Sequence, residues 1–71
     1  MQYDRVMNTA IVTLIIGKPE ARAIEYLNQF KCSWRVIMRD GESEKDLTPD
    51  RDDRRYNLVI KDGLVERVLP G

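Results

Sequence analysis

The sequence predicts an α+β domain: one helix packed on a small mixed β-sheet, with a long exposed loop before a C-terminal hairpin. Three observations lead there. Ala23, Ile24, Leu27 and Phe30 recur at the spacing that lines one face of a helix. Two stretches, Ser33–Asp40 and Tyr56–Ile60, alternate side chains with the period of a half-buried strand. Asp62-Gly63 then separates Tyr56–Ile60 from Leu64–Leu69, and such a dipeptide between apolar runs is a strong hairpin signal because the turn needs positive φ angles.

Met1–Met7 has little pattern and reads as a loose N-terminal segment. Asn8–Ile16 is crowded with β-branched residues, which lose rotamer freedom in a helix, and is expected to be a strand. A buried helical turn is the alternative, since periodicity alone does not assign a short apolar run. Gly17-Lys18-Pro19-Glu20 reads as a helix start, with Pro19 at the first helical position and Glu20 at the positive end of the helix dipole. The helix runs on to Phe30, with Arg22, Glu25 and Gln29 on its polar side. In Ser33–Asp40, strict alternation puts Trp34, Val36 and Met38 on one face and Arg35, Ile37 and Arg39 on the other. Asp40-Gly41 ends that strand. From Glu42 to Arg55 only Leu47 is strongly apolar, and a connection longer than about 12 residues is usually functional or disordered. Elements in this order bury their apolar sides when the helix covers one sheet face.

A chain of 71 residues is a single domain, 1–71. At this size only about 60% of the unfolded surface is buried, so extra stabilisation is usual. The one cysteine, Cys32, allows no internal disulfide, and without histidine no zinc-type ligand set is present. Asp50-Arg51-Asp52 begins like a calcium loop and then lacks the central glycine and terminal glutamate. No metal or cofactor is expected. Good packing or self-association remains, and a net charge of zero does little to oppose a homo-oligomer. With 12 basic and 12 acidic residues there is no polybasic footprint for duplex nucleic acid. The apolar run Ala10–Ile16 is too short for a membrane span and lacks the flanks of a signal peptide. A lone cysteine agrees with a reducing, cytoplasmic setting. No histidine, no nucleophile with a base and no phosphate-binding glycine loop point away from an enzyme.

Several of these segments, taken in order, resemble the potato inhibitor I family, and more closely its bacterial I78-type peptidase-inhibitor relatives. They are Ile16-Gly17-Lys18-Pro19-Glu20 before a helix, Arg55-Tyr56-Asn57-Leu58-Val59 before Asp62-Gly63, then Val65–Val68 and Gly71, within roughly Leu14–Gly71. The resemblance implies an inhibitor whose extended loop enters a serine-protease cleft like a substrate. Counting back from Asn57, it puts Thr48 before the reactive position, Pro49 at it and Asp50 after the scissile bond, with Leu47 and Arg51 flanking them. It implies Arg55 and Asn57 as residues that brace the loop. An arginine fork can hold a loop carboxylate such as Asp50 by charge-assisted hydrogen bonds. The sequence departs from the pattern at Pro49, which has a fixed φ and no N–H, and a two-residue slip presents Leu47 instead.

Two functions are therefore expected. In the first, the protein blocks a protein partner, such as a serine protease, through loop 42–55. In the second, it sequesters an anionic nucleotide signal, with Trp34, Arg51, Arg54 and Arg55 as ligand-binding residues. The family's occurrence in bacteria and their viruses implies, for that alternative, a phage anti-defence role. Ordinary packing competes at each position: Trp34 and Tyr56 as core, Cys32 as a small half-buried residue, and the arginines as partners of Asp50, Asp52 and Asp53.

Overall fold

The computed structural model describes residues 8–45, 47 and 54–70; the expectations for 1–7 and for Gly71 lie outside them. Two helices, α1 (Thr9–Ile15) and α2 (Glu20–Gln29), precede four strands: β1 (Ser33–Arg39), β2 (Glu42–Ser43), β3 (Arg55–Lys61) and β4 (Leu64–Pro70). The sheet order is β2-β1-β3-β4. β1 and β3 run parallel and the other pairs antiparallel, so the α+β class and the mixed sheet are as expected.

The expected strand over Asn8–Ile16 is instead helix α1. Asn8 is its N-cap, and the Asn8 side chain accepts a hydrogen bond from the Ala10 N–H at 2.8 Å. Gly17, at φ +82°, lets the chain leave at the other end. A strand would gather Ile11, Thr13 and Ile15 on one side. The helix instead brings Ile11, Val12 and Ile15 onto the core and leaves Thr13 outside. Helix propensity costs β-branched residues at most about 0.7 kcal/mol each. Burying an isoleucine contributes about 1.5–3 kcal/mol. Tertiary packing therefore outweighs the local preference.

Pro19 caps α2 rather than starting it, and its carbonyl accepts the Ala23 N–H. Ala23 and Leu27 are fully buried, as the spacing predicts. Phe30 is not: it lies just past the helix end and is 47% exposed, while Tyr26 packs against the core in its stead. Ile15, Ala23 and Leu27 meet Tyr56, Leu58, Ile60 and Val65 in one cluster. These β3 residues alternate, so both helices cover the same face of the sheet. Asn57 and Val59 point to the other face and are also buried, at 4% and 2% exposure.

β1 departs from strict alternation. Its register with β3 shifts between Val36 and Met38, leaving Ile37 as a bulge. Trp34 and Val36 pack on the helix side, whereas Met38 pairs with Val59 and turns to the opposite face. The same shift swings Arg39 toward the helices, where it pairs with Glu20 at the start of α2 and reaches Glu44 at 3.4 Å. Two Asp-Gly turns sit side by side beyond this point. Asp40 and Asp62 both have positive φ, and the Asp62 N–H donates to Asp40 Oδ1 at 2.8 Å.

The outer edge of β4 is partly covered. Gly17 N–H donates to the Val65 carbonyl at 2.8 Å, and Val65 N–H donates to Lys18 O at 2.9 Å. A second bulge follows between the Val59 and Ile60 pairings, and the strand closes on Pro70, which has no N–H. Covering, bulging and proline are each known means of blunting an edge against strand addition.

Candidate binding loop and its supports

Both ends of the long connection between β2 and β3 are tied to β1. On the way out, β2 doubles back along β1, and the Glu44 N–H donates to the Ile37 carbonyl at 2.9 Å. On the way in, β3 begins with Arg55 opposite Ser33 and Asn57 opposite Arg35. Arg35 Nε donates to Asn57 Oδ1 at 3.0 Å. Among the described residues Asn57 is the buried polar one, and its amide oxygen is thereby satisfied.

The spacing of these two points matters. From Ile37 to Ser33 is about 13 Å along a strand and two strand spacings are about 10 Å across. Residues 45–54, ten in number, join them. Ten residues can reach about 33 Å, far more than the gap requires. A surplus of chain between closely held feet is a geometry suited to presenting a loop.

Of the loop residues singled out in the sequence, Leu47 is 38% exposed. Thr48, Pro49, Asp50 and Arg51 lie outside the described residues. Arg55 and Asn57 lie on β3, the first strand after the loop. Arg55 is half-buried, with its Nε shielded from solvent, and Arg54 is exposed at the turn before it. Arg35, Arg54 and Arg55 all have interaction partners beyond any named above.

Between Arg55 and Asn57, Tyr56 points the other way, into the helix-side core. Its hydroxyl accepts the Asn8 N–H at 3.0 Å, linking the start of β3 to the start of α1. Burial pushes the Tyr56 phenol above its ordinary range; the Asn8 bond opposes this and nearby Cys32 adds to it. Arg39 has its pKa raised, first by its hydrogen bond to Glu20, which keeps its charge fixed.

Comparison with protein-family models, curated proteins and solved structures returned no match.

Of the alternative nucleotide-binding set, Arg51 lies outside the described residues, and Trp34 and Arg55 lie on opposite faces of the sheet. Trp34 is the register partner of Tyr56, packs on the helix side, and donates its Nε1–H to Asn28 Oδ1 at 2.9 Å. Arg55 follows the alternation of β3 to the opposite side, with the sheet between them. Tyr56 belongs to the buried core, and Trp34 and Cys32 are half-buried against it. The residue that sequence reasoning missed is Arg35. Its alternation signal was visible, but its pairing with Asn57 depends on the parallel register of two strands 22 residues apart.

Among the described residues, no helix is long and apolar enough to cross a membrane.

Proposed function

We propose that this protein is a small non-catalytic inhibitor that blocks a protein partner, a serine protease in the first instance, through loop 42–55. The observation that carries the reading is the anchoring of both loop ends on β1, through Glu44–Ile37 and Arg35–Asn57. A loop held at both feet loses less freedom on binding than a slack one, and preorganisation of this kind raises affinity. The half-buried Arg55 and buried Asn57 on the strand that follows supply polar support beneath the loop's return. The family resemblance adds Thr48, Pro49 and Asp50 as the presented residues, with Leu47 as the pocket-filling alternative. The single cysteine fits a cytoplasmic site of action.

The test pairs the purified protein with subtilisin-type and chymotrypsin-type proteases and measures residual activity. Inhibition by the wild-type protein, lost in Leu47→Gly or Pro49→Gly, is the expected result. A thermal shift with an anionic nucleotide, together with no inhibition of either protease, overturns the reading in favour of ligand sequestration. Native mass of the freshly purified protein belongs with this test, because a co-purified ligand would be seen directly.

A further inference from the structure

We propose that Arg35 is a positioning residue of the binding loop, acting through Asn57; the proposal rests on the inhibitory reading above. Arg35 and Asn57 are register partners on neighbouring parallel strands, and both face away from the helices. Arg35 Nε donates to Asn57 Oδ1 at 3.0 Å in a half-buried setting. Asn57 is only 4% exposed and sits two residues after the point where the loop joins β3. Two residues further along β1, the Ile37 carbonyl holds the outgoing foot through Glu44. A short stretch of β1 therefore fixes both ends of the loop, one by the main chain and one by a side chain. The main-chain bond is indifferent to residue identity. The side-chain bond is where sequence sets how firmly the loop is held, because a bond from a charged donor is stronger than a neutral one.

Nε is the atom that makes the bond to Asn57, and substitutions can remove or replace it. Arg35→Gln places an amide nitrogen at the position of Nε and keeps a neutral donor. Arg35→Met puts a methyl group where Nε was and removes the donor. Arg35→Lys keeps the charge but puts a methylene where Nε was. Amide hydrogen exchange, followed by mass spectrometry on the whole chain, reads the loop without any partner.

In Arg35→Met and Arg35→Lys, exchange at the two loop ends, residue 44 and residues 54–57, is expected to quicken by about tenfold or more, while α2 stays as in the wild type. Arg35→Gln, which keeps a neutral donor to Asn57 and loses the charge, is expected to fall between the wild type and Arg35→Met. Inhibition of the subtilisin-type protease weakens in the same order. Unchanged loop exchange in Arg35→Met overturns the proposal, as does a rise spread evenly over helix and loop, or rescue by Lys but not Gln. If the exchange results hold and the wild type inhibits neither protease, Arg35 keeps its bracing role and the inhibitory reading falls.

Discussion

Leu27 and Phe30 stand on the same predicted helical stripe, and their fates differ. Leu27 is sealed in the core and Phe30 is nearly half exposed. Domains of this length are stable by roughly 4–10 kcal/mol. Leu27→Ala is expected to cost about 2–5 kcal/mol, a large share of that total, whereas Phe30→Ala should stay within about 0.5 kcal/mol. Urea midpoints of the two variants decide this, and equal losses would mean that the stripe continues through Phe30. Tyr56 is a second residue whose surroundings set its behaviour. Its phenol is raised in the folded state, chiefly by burial, so the unfolded chain ionises first as pH rises. The stability it contributes is intact below its unfolded value of about 10 and is lost as pH climbs through the folded value. Denaturation midpoints should therefore fall above about pH 10. In Tyr56→Phe that alkaline loss should shrink, while stability near neutrality drops by about 0.5–1.5 kcal/mol with the lost Asn8 bond.

At the scale of elements, α1 is where local preference and tertiary context disagree. The β-branched content of Asn8–Ile16 favours a strand, yet the segment is a helix capped by Asn8 and followed at once by the positive-φ turn at Gly17. Those two residues were the signal in the sequence that outweighs composition. Asn8→Ala should lower stability by about 0.5–2 kcal/mol through loss of the cap. Its main-chain bond to Tyr56 should survive, so far-ultraviolet dichroism would show fraying at α1 without loss of the sheet. α2 and the β3–β4 hairpin were legible at once, because helical spacing and an Asp-Gly turn are local signals. The bulge at Ile37 was not. It inserts one residue relative to a partner strand, so it reverses the faces of Met38 and Arg39 with nothing in the alternation to announce it. The consequence is the Arg39–Glu20 pair between β1 and α2. With Arg39 exposed and Glu20 only half-buried, that pair contributes little to stability.

Across the whole molecule, the sheet divides the chain into two sides with different tasks. The helix side holds the core cluster; the other side holds Arg35, Arg55 and Asn57 near the return of the loop. A separation of this kind predicts that loop and fold can be altered independently. Inserting two glycines directly after Lys45 lengthens the ten-residue connection and should cost only a few tenths of a kcal/mol in loop closure. The same insertion should weaken inhibition, since a longer loop loses more freedom on binding. A large fall in the unfolding midpoint would show instead that the connection is part of the fold. The α+β class, α2, the hairpin and the presence of a long charged connection could all be read from residue order. Each depends on periodicity or turn chemistry within a few neighbouring residues. The helical state of α1, the turned-over end of β1, the opposite placement of Trp34 and Arg55, and the clamp between Arg35 and Asn57 could not be read that way. They depend on which distant segments share a face, and that is settled only when the strands choose a register and the helices bury their apolar sides against them.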